Sequence, residues 1–291
     1  MVIVWKTWNL VIGYCYKMFN LSISPPQTEI AIIPGTSFTQ AYQVKNLSNQ
    51  AIYLNTSVLE WIPQDSLSSI QYLDQTNPHI SFSLLNSDLD LGQDFLLPPN
   101  SERQIILKAV ISKDTPEKDA YFTFFVNQID QTSTDNPGAS GRIGAHVLIS
   151  ASTNLNQPSK FNLKSLLITP KIKDIFFTNL SFKIDLENQT NFFQKPIGQL
   201  VINKSDQEYK TLELDSQNIL ANHSRQIYCL DNPACSLKAP FWPGPYTAQI
   251  KLDNYTSDPV NFIILPLSPL VFFLILFFVY FIAKKTHQTN K

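Results

Sequence analysis

The sequence predicts an all-β chain: two β-sandwiches in tandem, followed by one C-terminal membrane-spanning helix. Three observations predict it. Short segments alternate apolar and polar residues with period two and are parted by Pro, Gly and Asn turns, the pattern of half-buried strands. No stretch before residue 262 sustains the i, i+3, i+4, i+7 spacing of an amphipathic helix. Residues 262–283 are uncharged and apolar, and the run from Phe272 to Ile282 has no polar face to turn toward water. Roughly 20 such residues are what a helix needs to cross a bilayer core.

The first half reads as strands in close succession. Leu21–Pro25 and Thr28–Ile33 flank Pro25-Pro26, and Pro34-Gly35 makes a turn. Ser37–Val44 runs toward the turn Asn46-Leu-Ser-Asn49, and Ala51–Leu59 alternates again. Arg103–Ile111 follows Leu97-Pro-Pro-Asn100, Ala120–Val126 is an aromatic strand and Ile143–Ser152 closes the set. The polar segment 154–160 then reads as a linker, and the pattern restarts. Phe161–Ile168, Lys171–Phe177, Leu180–Asn188, Ile197–Ile202, Tyr209–Leu214, Ser224–Leu230 and Tyr246–Leu252 are its strands.

The halves share a layout. Leu96-Leu-Pro-Pro-Asn-Ser-Glu-Arg-Gln-Ile105 lines up with Ile219-Leu-Ala-Asn-His-Ser-Arg-Gln-Ile227, and Lys118–Phe124 with Gly244–Ile250. The boundaries that follow are 20–153 and 161–261 for the sandwiches, 262–283 for the helix and 284–291 for a tail. Lys284 and Lys285 directly after the apolar run orient the tail to the cytoplasm and leave the bulk of the chain outside it. Residues 1–19 hold a short apolar stretch, Trp8–Tyr16, between Lys6 and Lys17. An atypical leader, a second anchor and a misassigned start all fit it; a degenerate export signal is the reading adopted.

With 291 residues, a net charge of -1, and 20 Phe, 11 Tyr and 19 Pro against 8 Gly, the composition suits an extracellular all-β protein. It lacks the basic stripe that nucleic acid would demand. Cys229 and Cys235 bracket the turn-prone Leu-Asp-Asn-Pro-Ala, so either a small disulfide or two free thiols can stand there. Cys15 lacks the small preceding residue that a lipoprotein signal requires.

On Ile23–Pro26, Ile33–Gly35, Val44–Asn46, Phe95–Pro99 and Arg142–Ser150 in the first half, and Pro196–Ile202, Ile219–Gln226 and Gly244–Tyr246 in the second, the chain resembles a group of bacterial surface proteins. These carry tandem immunoglobulin-like sandwiches and a C-terminal membrane anchor, and the family of unknown function that accompanies WxL-domain proteins is similar over residues 20–285. The resemblance implies two immunoglobulin-like domains, a surface binding or scaffolding role and no catalytic residues. Trp8-Asn9-Leu10 spells WxL without making a WxL domain.

Tests for chemistry point the same way. His79, His146, His223 and His287 have no second histidine or cysteine at metal-ligand spacing. The glycine-rich Gly138–Gly144 precedes a strand rather than the helix a phosphate cradle needs. Asp88, Asp90 and Asp94 alternate without the grammar of a calcium loop, and Glu60, Asp65, Glu117 and Asp119 sit in separate segments with no designated acid–base pair. Asn20, Asn46, Asn55, Asn179, Asn188, Asn203, Asn222 and Asn254 begin Asn-x-Ser/Thr triplets, which a chain so rich in these residues produces by composition. No catalytic, cofactor or metal residue is therefore expected.

Trp61, Tyr72, Phe192, Phe193, Phe241, Trp242 and Tyr246 are aromatics for either the cores or a binding surface. Phe241, Trp242 and Tyr246, set in a Pro-Gly turn, are the candidates for a protein or glycan partner. The function expected is a membrane-anchored extracytoplasmic binding or scaffolding protein, for surface adhesion or envelope-complex assembly. The alternatives are a pilus-chaperone-like assembly factor and a membrane-tethered envelope glycan hydrolase.

Overall fold

A computed structural model describes residues 20–64, 69–75, 77–129, 141–170, 173–174, 179–205, 207–240 and 242–289; along the last helix, side chains are described to Tyr280 and at Ile282. The leader segment, Cys15 and most of the expected strand Lys171–Phe177 lie outside the described residues.

Ten strands build the first sandwich: β1 (Leu21–Ser24), β2 (Gln27–Ile32), β3 (Ser37–Asn46), β4 (Ile52–Pro63), β5 (Ile70–Tyr72), β6 (Ile80–Leu84), β7 (Phe95–Leu97), β8 (Glu102–Ile111), β9 (Lys118–Ile129) and β10 (Arg142–Ala151). One sheet is ordered β1-β3-β8-β6 and the other β2-β10-β9-β4-β5, with β7 also on β4. Pro25-Pro26 breaks the first strand into β1 and β2, so that its halves join opposite sheets, β2 running parallel to β10. With β1 and β2 counted as one strand, this is the order of an immunoglobulin-like sandwich. The alternating residues of the sequence become its two inner faces: Tyr42, Val44, Ile105 and Leu107 meet Leu54, Phe124, Val126 and Val147 in one core. Gly144 in β10 is required by closeness, since a Cβ there would stand 2.5 Å from Thr123 Cγ2.

The second sandwich comprises β11 (Phe161–Thr169), β12 (Asn179–Asn188), β13 (Gly198–Lys204), β14 (Gln207–Glu213), β15 (Ser224–Ile227), β16 (Ser236–Lys238), β17 (Gly244–Leu252), β18 (Tyr255–Thr256) and β19 (Val260–Ile264). Its sheets are β11-β12-β15, with β16 also on β12, and β14-β13-β17-β18, with β19 on β17. Leu180, Ile184, Leu186, Leu200, Ile202, Ile250 and Ile264 fill its core.

A pair of asparagine clamps shows that the halves are built alike. Asn46 is 1% exposed; its Nδ2 donates to the carbonyls of Gln50 (2.8 Å), Leu97 (3.2 Å) and Pro98 (2.9 Å), and its Oδ1 accepts from Ser48 N at 2.9 Å. Asn188, 0% exposed, repeats this with Phe192 O (2.7 Å), Ile219 O (3.0 Å), Leu220 O (3.2 Å) and Thr190 N (3.0 Å). Each ties the loop after one strand to the tip that enters another. The Ser or Thr two residues on is a clamp partner, which is why these two Asn-x-Ser/Thr triplets are structural and closed to glycan. Asn100 and Asn222 also correspond, both left-handed, at φ 50° and 56°.

The chain ends in α1 (Leu267–Thr289). The apolar helix expected over 262–283 is corrected at its start: Phe262 and Ile264 point into the core from β19, which pairs with β17, so the helix begins five residues later. Among the described residues, no helix is long and apolar enough to cross a membrane.

Register fixes where α1 stands. The start of β17, the end of β19 and the bridge between Asp174 and Leu265 share one end of the second sandwich. The far end of β12, near Asn188 and Ser224, carries the loops that meet the first sandwich. Helix and first sandwich thus occupy opposite ends of the second.

Candidate functional site

The sandwiches meet through side chains of β2, β4, β9 and β10 and through two loops of the second unit, one around Asn191–Lys195 and one around Asn218–Ala221. Lys195 Nζ lies 2.8 Å from Glu29, and Asn218 Nδ2 donates to Glu29 Oε1 at 2.7 Å. Tyr121 OH donates to Asp119 Oδ2 at 2.7 Å and accepts the Ala221 amide at 3.1 Å. Asp119 also accepts the Phe193 amide. Trp61, Tyr121 and Leu148, with Phe193 and Leu220 against them, form a small apolar cluster across the junction.

The electrostatics follow from this burial. Desolvation pushes the Asp119 carboxyl up to about 6 against hydrogen bonds from Ser150, Tyr121 and the Phe193 amide. Burial, reinforced by the Asp119 charge, pushes the Tyr121 phenol up as well. At Glu29 burial also raises, but the hydrogen bonds from Lys195, Asn218 and Gln27 outweigh it and hold the carboxyl below its ordinary value. Burial pushes His146 down, toward the neutral ring.

Beside these contacts opens a cleft of about 230 Å³, lined by Gln27, Trp61, Pro63, Ser69, Ile70, His146 and Leu148 of one sandwich and Asn218, Leu220, His223, Ser224 and Arg225 of the other. Its wall is Trp61, stacked on Tyr121 at 4.9 Å between ring centroids and edge-on to His146 at 5.5 Å. Trp61 Nε1 and Asn218 Oδ1 are buried with no hydrogen-bond partner among the described residues. Arg225, whose Nη1 donates to Asn218 O at 2.7 Å, also borders an adjoining hollow of about 390 Å³ that contains Lys164, Lys183 and Asp185. Among the described residues no carboxylate lines the cleft, and no group of three His, Cys, Asp or Glu is placed to hold a metal ion. An apolar wall with Arg and His at the rim can hold a chain segment that brings its own acceptors.

The residues singled out in the sequence lie elsewhere. Cys229 and Cys235 are bridged, with Cα atoms 5.0 Å apart. Tyr246 is corrected from a partner-binding residue to a core one: it is 1% exposed, stacked on Phe262 at 5.6 Å, and its hydroxyl donates to Trp242 O at 2.7 Å. Trp61 and Phe192, open in the sequence to either core or surface, are both buried, Trp61 with its ring forming a wall of the cleft. Trp242 is 65% exposed, at the helix-bearing end. Phe241 lies outside the described residues, as do the side chains of Lys284 and Lys285. Glu29 and Asn218 escaped the sequence reading because they are 189 residues apart, and Asp119, weighed there only as an acid, finds the Phe193 amide 74 residues away.

No family model and no curated protein sequence matches the chain. Solved structures similar to it include the class 5 fimbriae chaperone CfaA (TM-score 0.40, 15% identity, covering 85% of this chain and 100% of that one). The E. coli chaperone DraB aligns with TM-score 0.38 and 14% identity over 83% of this chain and 96% of that one. A chain of the Salmonella enterica SafA pilin–SafB chaperone complex aligns with TM-score 0.37 and 13% identity over 85% and 97%. At such scores the likeness carries no weight for what the chain binds.

Proposed function

We propose that this chain is a non-enzymatic binding and scaffolding protein of a bacterial cell surface, held outside the membrane by α1, whose interdomain cleft receives a segment of a protein partner. The cleft is the observation that carries the reading. Both sandwiches contribute to it, the junction beside it is cross-linked by Glu29, Asp119 and Tyr121, and its rim offers donors without competing carboxylates. A disulfide between Cys229 and Cys235 fits an oxidising, extracytoplasmic setting. Membrane attachment rests on α1: every residue from Leu270 to Tyr280 is apolar or aromatic and at least 48% exposed, so such side chains cover its whole circumference, and the sequence continues apolar to Ala283 before Lys284 and Lys285. A helix apolar on every face belongs in an apolar medium.

The second reading, a pilus-chaperone-like assembly factor, is favoured by the same cleft, in which the segment received would belong to a subunit awaiting assembly. Among the described residues, no carboxylate lines the cleft to favour an envelope glycan hydrolase.

Two measurements test the proposal. A photo-crosslinker at position 225 should capture a discrete protein partner in envelopes, and one at Val110 on the far side of the first sandwich should not. Capture of glycan alone, or equal capture at both positions, removes the cleft from the account. The full chain should resist extraction from membranes by high salt and lose that resistance when residues 267–289 are deleted; salt extraction of the intact chain defeats the anchor.

A further inference from the structure

The helix-bearing end of the second sandwich carries a ring of residues that the binding site does not use. Trp242, 65% exposed, lies two residues before β17, whose first residue pairs with the last residue of β19, three positions before α1. Lys204 ends β13 at the same level and places its Nζ 5.9 Å from the Trp242 ring and 5.5 Å from that of Tyr246. Tyr209, 46% exposed, follows in the hairpin from β13 to β14. On the opposite sheet, exposed Lys238 pairs with Asn179 at the same end of β12. Ile263 and Leu265, 59% and 41% exposed, complete the surround of the helix root.

The root itself is fixed. Asp174 accepts both the amide and the hydroxyl of Ser268, and the Leu265 amide donates to Lys173 O at 2.8 Å. A capped first turn bound to the sandwich keeps this end at a constant distance from whatever surrounds α1.

We propose that this end of the second sandwich rests in the headgroup layer of an anionic bilayer, with Trp242 and Tyr209 at the water–lipid boundary and Lys204 and Lys238 toward lipid phosphates. Amphipathic rings favour that layer, and juxtamembrane lysines are attracted to anionic lipid. α1 leaves the sandwich at this same end, directly after β19, and its described faces are apolar throughout. This rests on the membrane attachment proposed above. It reassigns Trp242 from a protein or glycan partner to lipid, and it sets the interdomain cleft at the far end of the second sandwich, about 30 Å from the surface for strands of this length.

The test uses the full chain in vesicles containing phosphatidylglycerol brominated near the headgroup. Flotation with the vesicles reports the attachment; lipid quenching of tryptophan emission reports the inference. With Trp5 and Trp8 replaced by Phe throughout, Trp242→Phe should float as its parent and lose most of the quenching, and Leu96→Trp in that background should restore emission without restoring quenching. Lys204→Glu with Lys238→Glu should lower quenching while flotation persists. A chain that floats and is quenched equally with and without Trp242 overturns the inference and leaves the attachment standing. A chain that fails to float overturns the attachment itself.

Discussion

Asp119 accepts the backbone amide of Phe193 across the junction, while its own amide donates to Asn191 O at 3.3 Å. A single residue of β9 therefore organises a loop of the other sandwich through both its side chain and its backbone. Burial makes that arrangement sensitive to pH.

Unfolded, the Asp119 carboxyl titrates near 3.8; folded, at about 6. Between these values the folded state holds more protons than the unfolded one, so stability falls as pH rises from about 4 to about 6 and stays lowered above that. Glu29 works in the opposite sense, its contribution present above about 4.5 and lost on acidification. Asp119→Asn keeps an acceptor for Phe193 and abolishes the titration. Its thermal midpoint should lack the decline between about pH 4 and 6, a difference on the order of 2 kcal/mol. An unchanged profile in the variant assigns the decline to another group.

The asparagine clamps should be costly to remove. Asn46→Ala or Asn188→Ala leaves three carbonyls and an amide without partners and is expected to destabilise by about 2–4 kcal/mol in denaturant unfolding. Asn188→Asp should do at least as much harm, since a carboxylate cannot donate to Phe192 O, Ile219 O and Leu220 O. A loss below about 1 kcal/mol for both alanine variants would show the clamps to be dispensable.

At Trp61 size and polarity can be separated. Trp61→Phe discards a buried N–H that has no partner among the described residues and keeps most of the stack on Tyr121, so it should stay within about 1 kcal/mol of wild type. Trp61→Ala should cost about 3–5 kcal/mol through the cavity it leaves. Equal losses in the two variants would mean that Nε1 does find a partner.

Reduction of Cys229–Cys235 opens a loop whose ends are six residues apart, worth about 2 kcal/mol in chain-entropy terms. The thermal midpoint of the second sandwich should fall with dithiothreitol, and Cys229→Ala should abolish that dependence. A midpoint indifferent to reductant would show that the bridge does not form in solution.

Asp174→Ala should free the root of α1 without unfolding the sandwich. Amide exchange at residues 268–270 should accelerate while the core strands keep their protection, consistent with a cap of about 1 kcal/mol. Exchange unaltered at the root removes the cap from the account.

The sequence by itself determined the strands, the two-part layout and the apolar end, because period-two alternation, turn residues and an uncharged run are local properties of the chain. It even held the duplicated tips at Leu96–Ile105 and Ile219–Ile227, whose asparagine clamps the structure then explains. Tertiary structure alone decided which residues share a site. Glu29 with Asn218, Asp119 with Phe193 and Tyr121 with Ala221 are joined by the docking of one sandwich on the other, a surface match that no local pattern encodes. Burial likewise moved Tyr246 from surface to core: a Tyr in a Pro-Gly turn reads as exposed until Phe262, from a strand still to come, closes over its ring.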